Sequence, residues 1–154
     1  MSPDALPITE SPAVANRAVG TCTVPKGWTW ARLSQVAQII AGQSPPSDTY
    51  NNRGVGLPFF QGKAEFGPLS PTVRKWCDKP SKIAEAGDVL ISVRAPVGPT
   101  NLAIERCGIG RGLAGIRAGA ATSAMWLLHY LRFIEPLIAE KGTARRRGAP
   151  VVSG

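Results

Sequence analysis

Glycine and proline punctuate this chain from end to end, and their spacing is the strongest limit on its fold. The 154 residues include 17 Gly and 14 Pro, which follow no fixed period. Glycine weakens a helix interior, and proline lacks the amide hydrogen that a helix or a central strand needs. The spacing therefore excludes a helix bundle and a collagen-like chain, and it favours short strands joined by turns and loops.

Short apolar runs between these breakers predict the strands of an antiparallel, β-rich domain. The clearest run is Val89-Leu90-Ile91-Ser92-Val93-Arg94, which follows a Gly87-Asp88 turn. We expect Leu102 to Ile104 to return beside it as a hairpin, and Ile109 to Ile116 to form one further Gly-rich strand. Other extended segments are predicted at 28–30, 57–62 and 71–76.

Helical spacing of apolar residues occurs in two regions of the sequence. In the first region, the residues at that spacing are Leu33, Val36, Ala37 and Ile40. In the second region, an amphipathic helix is predicted from Thr122 or Ser123, and a shorter helix is predicted to begin at Pro136. We therefore expect an α+β domain over 25–142, preceded by a flexible leader at 1–24 and followed by a disordered basic tail at 143–154.

The charge balance indicates a polyanionic partner. The chain has 18 Lys plus Arg against 10 Asp plus Glu, a formal net charge of +8 and a pI of about 10.0. Nucleic acid is the first candidate, an anionic membrane surface is the second, and a basic protein with no such partner is the alternative. Twelve of the 18 cations are Arg. The planar fork of Arg suits phosphate and guanine edges better than the point charge of Lys, which favours nucleic acid.

Few residues are available for catalysis or metal binding. The three cysteines, Cys22, Cys77 and Cys107, are widely spaced and are predicted to be reduced thiols, and His129 is the only histidine. A zinc site would need all four of these residues from distant segments, so we predict no metal and no cofactor. A triad would depend on His129, which lies within a predicted apolar helix, so we expect a non-catalytic chain.

One glycine motif leaves a nucleotide-binding alternative open. Gly110 to Gly115 matches G-x-G-x-x-G, which binds a pyrophosphate when a strand precedes it and a helix follows it. The residues after Gly115 are typical of a strand and a turn instead, which favours glycines tolerated in a bent strand. The sequence also shows no signal peptide and no run of about 18 apolar residues, so we expect a cytoplasmic protein.

The polar loop residues predict contact with duplex DNA. Arg suits guanine edges, Gln suits adenine, and Lys and Ser suit phosphate oxygens. For each residue alone, an ordinary solvated side chain is the alternative, and Arg94 could instead tie its own loop to the sheet. The candidate DNA-binding residues are Gln43, Ser44, Gln61, Lys63, Arg94, Arg106, Arg111 and Arg117.

Four stretches together resemble a target recognition domain of the type I restriction-modification specificity subunits. The stretches are Pro25-Lys26-Gly27-Trp28-x-Trp30-x-x-Leu33, Gly42-Gln43-Ser44-Pro45, Leu57-Pro58-Phe59-Phe60-Gln61-Gly62 and Ala86-Gly87-Asp88-Val89-Leu90-Ile91-Ser92-Val93-Arg94-Ala95-Pro96-Val97-Gly98. Their order and spacing also match that family. The resemblance covers Pro25 to about Thr143, and the stretch from Gly87 to Gly98 is its most specific part.

This resemblance implies a fold, a function and a set of partners. It implies a twisted antiparallel β-rich domain with peripheral helices, whose loops read one half of a bipartite DNA site in the major groove. Methylation would belong to modification subunits that bind S-adenosylmethionine, and cleavage to a motor-nuclease subunit that uses ATP. The chain itself would be a non-catalytic specificity subunit.

The end of the chain departs from the pattern that the resemblance implies. A full specificity subunit has two recognition domains separated by long spacer helices, whereas this sequence passes from Lys141-Gly142-Thr143 into Ala144-Arg145-Arg146-Arg147 and ends at Gly154. We therefore expect a truncated, single-domain chain. A remnant that binds DNA only through bulk charge is the alternative, and the Arg run is compatible with a nucleic-acid tail or an out-of-frame end.

Overall fold

The computed structural model describes residues 25–28 and 31–146. Nine short strands and three helices make up this part of the chain. The strands are β1 Ala37–Ala41, β2 Tyr50–Asn51, β3 Leu57–Phe60, β4 Trp76–Cys77, β5 Ile83–Ala84, β6 Val89–Ser92, β7 Thr100–Leu102, β8 Cys107–Ile109 and β9 Leu113–Ala118. The helices are α1 Leu33–Val36, α2 Ala124–Phe133 and α3 Glu135–Arg146.

The strands form two sheets. One sheet is fully antiparallel with the order β1-β9-β6-β7, and the other has the order β2-β4-β3-β8-β5. In the second sheet β3 and β8 pair in parallel, while the remaining pairs are antiparallel. The predicted α+β fold, rich in antiparallel strands with helices at the periphery, is confirmed.

Two hydrophobic clusters hold the layers together. The first cluster joins the two sheets and centres on Phe60, Leu90 and Ile109. The second packs helix α2 against the four-stranded sheet, where Leu127 and Leu128 meet Val89. Burying side chains of this size stabilises the fold by about 1.5–3 kcal/mol each, so these clusters supply most of the driving force for folding.

The helix that the sequence predicts from Leu33 to Ile40 is wrong beyond its first turn. Only Leu33–Val36 is helical, and Ala37–Ala41 is strand β1, which pairs residue by residue with β9. A ladder along five consecutive residues outweighs the local helical spacing. The β-branched residues in this stretch also suit a strand better than a helix.

The Gly-rich segment from Ile109 to Ile116 is two strands in different sheets, not the single strand predicted. The β8 strand ends at Ile109 and β9 begins at Leu113, and a turn between them is closed by a hydrogen bond from the Leu113 amide to the Gly110 carbonyl, 3.0 Å. Similarly, only Trp76 of the extended segment predicted at 71–76 lies in a strand. A hairpin forms after Gly87 as predicted, but of the return strand predicted at Leu102 to Ile104 only Leu102 lies in β7, which begins at Thr100.

Helix α2 begins where the sequence predicts, and α3 begins at Glu135, one residue before the predicted Pro136, but α3 has 12 residues against 10 in α2 and is not the shorter helix. Ser123 caps α2, and its hydroxyl accepts the Trp126 amide at 3.1 Å. Helix α3 continues to Arg146, beyond the predicted domain end at 142, whereas the predicted leader at 1–24 lies outside the described residues. No described helix combines the length and the apolar character that crossing a membrane requires.

Candidate nucleic-acid interface

Several strands end or begin at one edge of the two sheets. In the four-stranded sheet, β1 and β6 end where β9 begins, since Ala41 faces Ala114 and Ser92 faces Leu113. In the other sheet, β3 and β8 run parallel and end side by side. The loops that follow these strands therefore converge, although they are far apart in sequence.

Backbone hydrogen bonds join these loops to the turn between β8 and β9. The Gly110 amide donates to the Phe60 carbonyl at 2.8 Å, and the Val93 amide donates to the Gly112 carbonyl at 3.0 Å. The loop after β1 is attached in the same way, because the Gln43 amide donates to the Ile109 carbonyl at 3.0 Å. This edge therefore consists of loops that backbone hydrogen bonds join to the turn between β8 and β9.

The converging loops enclose a concave site of about 480 Å³. Its lining residues are Ser44, Tyr50, Gln61, Arg94 and Arg111. Four of these are candidates that the sequence singled out. Of the ion pairs in the part of the chain that the structure describes, none includes Arg94 or Arg111, so both guanidinium charges lack a carboxylate partner there.

Two side chains in the site contact the backbone of Arg111. The Ser44 hydroxyl accepts the Arg111 amide at 3.2 Å, and the Arg94 Nε donates to the Arg111 carbonyl at 3.3 Å. Arg94 therefore ties its own loop to the turn between β8 and β9. Arg94 is also one of the residues that line the concave site.

Tyr50 is the lining residue that sequence reasoning missed. Its ring stacks on Phe59 with centroids 4.8 Å apart, and its hydroxyl donates to the Pro45 carbonyl at 3.0 Å. These contacts connect β2 to the loop that carries Ser44. The pairing of β2 with β4, which places Tyr50 in the same sheet as Phe59, leaves no signal in local spacing.

Two further candidates, Gln43 and Lys63, lie on the same loops with exposed side chains. Gln43 is next to Ser44, and Lys63 follows Gln61 by two residues and begins a short 3₁₀ turn, Lys63–Glu65. They extend the polar and basic surface around the concave site.

The remaining candidates, Arg106 and Arg117, lie at the opposite edge of the sheets. Arg106 precedes β8 and forms an exposed ion pair with Glu85, 3.3 Å. Arg117 is near the far end of β9, where its Nε and Nη2 donate to the two carboxylate oxygens of Asp88 at 2.9 and 2.8 Å. These hydrogen bonds raise the pKa of Arg117 above its ordinary value. The structure therefore does not bring these two residues together with the other six.

The side chains that line this site can donate and accept hydrogen bonds. Its lining carries hydroxyl, amide, phenol and guanidinium groups. Cys107 is fully buried, and burial raises the pKa of its thiol to about 12, which keeps it protonated near neutral pH. No group of three or more His, Cys, Asp or Glu side chains suited to a metal ion occurs among the described residues.

The glycine motif from Gly110 to Gly115 does not have the geometry of a dinucleotide site. Its first residues form the turn before β9, and the rest belong to that strand. A pyrophosphate site of this kind needs a helix N-terminus directly after the glycines. The nucleotide-binding alternative therefore lacks its structural requirement.

Comparisons with known proteins identify relatives of one class. No family model matches the chain. The chain is 44% identical over 122 residues to the specificity subunit assigned to the type I restriction enzyme MjaX of Methanocaldococcus jannaschii, covering 77% of this chain and 29% of that protein. It is 57% identical to the crystal structure of an HsdS subunit from Thermoanaerobacter tengcongensis, with a TM-score of 0.75, covering 78% of this chain and 31% of that one.

Two further solved structures share the fold. One, described as a type I R-M system studied for complex assembly and conformational transition, is 55% identical with a TM-score of 0.77, and the match covers 83% of this chain and 33% of that one. The type I restriction-modification S subunit from M. genitalium is 13% identical with a TM-score of 0.55, a likeness of fold alone, and covers 77% of this chain and 30% of that one. The chain thus spans about a third of the length of the relatives it matches.

Proposed function

We propose that this chain, which is homologous to about one third of the type I restriction-modification specificity subunits, recognises one half of a bipartite DNA site. In this proposal the chain binds duplex DNA and directs partner subunits that methylate and cleave it. The chain itself provides the sequence specificity and catalyses no reaction.

The observation that carries this proposal is the convergence of polar loop residues at one sheet edge. Two guanidinium groups without a described carboxylate partner, an amide and a hydroxyl line one concave site. Arg and Gln make the bidentate contacts that distinguish guanine and adenine in the major groove. The net charge of +8 supplies a general attraction to the phosphate backbone of the duplex.

Within the proposal, the residues at this edge make up the DNA-binding surface, either by contacting the duplex or by holding a residue that does. These are Gln43, Ser44, Gln61, Lys63, Arg94 and Arg111. Arg106 and Arg117 are assigned a structural role instead, because each already pairs with a carboxylate at the opposite edge. This division separates the residues of the DNA-binding surface from arginines that pair with carboxylates of the protein itself.

Selection from a random duplex library tests the proposal on the full chain. We expect enrichment of one short motif, and Arg111→Ala should weaken binding to that motif more than binding to a scrambled duplex. A base contact contributes about 1–3 kcal/mol of discrimination. Loss of a phosphate contact instead weakens binding to all sequences and lowers the salt slope by about 0.9.

The matched control is Arg106→Ala, which removes one positive charge from the opposite edge. This variant should retain the discrimination of the unaltered chain. If no motif is enriched and all duplexes bind alike, the chain binds only through bulk charge and the proposal is wrong.

A further inference from the structure

The turn between β8 and β9 presents Arg111 on a backbone that is held from several sides. The Leu113 amide donates to the Gly110 carbonyl at 3.0 Å and closes the turn. The Gly110 amide donates to the carbonyl of Phe60, the last residue of β3. The amide of Val93, the residue after β6, donates to the Gly112 carbonyl. The residues on either side of Arg111 are therefore fixed by the two sheets.

The peptide groups of Arg111 itself are held by side chains. Ser44, on the loop after β1, accepts the Arg111 amide, and Arg94, two residues after β6, donates its Nε to the Arg111 carbonyl. Both partners line the concave site. A change in either one would alter the direction in which Arg111 projects, even if Arg111 is left intact.

The two arginines of the site are consequently not equivalent. The Nε of Arg94 is occupied by the Arg111 carbonyl, whereas the Arg111 guanidinium has no partner among the described residues. Arg111 thus keeps all five N–H donors for a ligand, and a planar fork of this kind matches the O6 and N7 acceptors of guanine. Arg94 has already lost part of that fork.

We infer that Arg111 determines specificity by contacting a guanine edge, and that Ser44 and Arg94 are positioning residues that act through it. This inference rests on the proposed function. It differs from that proposal in predicting that the effects of Ser44 and Arg94 on base discrimination disappear when Arg111 is absent.

A double-mutant cycle on the full chain tests this inference. The duplex is the motif selected from the random library, and its partner carries 7-deazaguanine, which lacks the N7 acceptor. Arg111→Ala should lower discrimination between the two duplexes by about 2- to 12-fold, the equivalent of losing the N7 half of one bidentate contact. Ser44→Ala and Arg94→Lys should each cause part of that loss in the unaltered chain and none in the R111A background.

Two matched variants separate positioning from charge and from general damage. Ser44→Thr retains a hydroxyl and should retain discrimination, whereas S44A should not. R94K retains the positive charge but lacks the Nε donor, so a loss in R94K assigns the effect to the hydrogen bond. Thermal melting of every variant shows whether the fold is intact, and Arg106→Ala serves as the charge control.

The possible results lead to distinct conclusions. If S44A and R94K weaken discrimination equally with and without Arg111, they are independent contacts and the inference is overturned while the proposed function stands. Full discrimination in R94K also overturns it, because Arg94 would then act as a point charge. If R111A leaves discrimination unchanged, or no motif is selected at all, both the inference and the proposed site are overturned.

Discussion

Replacing Arg117 with alanine should destabilise the fold without weakening base discrimination. The side chain forms two charge-assisted hydrogen bonds with Asp88, whose carboxylate is 3% exposed, and Asp88 also accepts the Glu85 amide at 2.9 Å. In Arg117→Ala the carboxylate keeps that one amide and loses both guanidinium donors. A buried charge would then be left with too few partners.

The expected magnitude follows from the exposure of the two partners. Removing one partner of a fully buried ion pair costs about 3–5 kcal/mol. The Arg117 side chain is 39% exposed, so water can replace part of the lost contact, and we expect a loss of about 2–3 kcal/mol. For a domain of this size that is a decrease in Tm of about 6–12 °C.

Urea unfolding followed by tryptophan fluorescence measures the loss, and a double variant isolates the pair. Asp88→Asn combined with R117A should cost less than the sum of the single changes, because no unpaired charge remains. Arg106→Ala is the control, since its pair with Glu85 is exposed on both sides and should contribute less than about 1 kcal/mol. If R117A leaves stability unchanged and instead lowers the salt slope of DNA binding, our assignment of a structural role to Arg117 is refuted.

Three further predictions concern the stability of the fold. Burial raises the pKa of the Cys107 thiol from 9.0 to about 12, so the folded chain keeps a proton that the unfolded chain releases above about pH 9. The Cys107 thiol should not affect the free energy of unfolding below pH 9. Between about pH 9 and pH 12 that free energy should fall by up to about 1.4 kcal/mol per pH unit. Urea unfolding of Cys107→Ala should lack this pH dependence. Gly112→Ala should unfold the edge and abolish DNA binding, because its Cβ would lie 2.2 Å from the Gln61 carbonyl oxygen, whereas Gly62→Ala meets no atom within 4 Å and should keep both stability and binding. Ser123→Ala should cost about 1 kcal/mol by removing the cap of α2, and unchanged thermal melting would contradict this.

Local sequence patterns predict the elements whose stabilising residues are close together in the chain. Strand β6 is recognisable from its β-branched run after a Gly-Asp turn, and helix α2 from its cap and its apolar spacing. Strand β1 is not, because Ala37–Ala41 becomes a strand only through its pairing with β9, more than 70 residues further along the chain. Non-local pairing of this kind can override a helical pattern at short range.

The same distinction applies to the candidate site. Composition and charge alone determine that the chain is basic and rich in Arg, and the Pro-rich stretch after Gly42 determines that Gln43 lies in a loop. The sequence predicts Gln61 and Arg94 in extended segments instead, whereas both lie just beyond the ends of β3 and β6. Only the tertiary structure decides which arginines meet. The register that places Val89 opposite Ile116 brings Asp88 to Arg117 at one edge, and the register that places Ser92 opposite Leu113 brings Arg94 to Arg111 at the other. In sequence these arginines look alike, because the partner of each one is supplied by a strand that local patterns cannot specify.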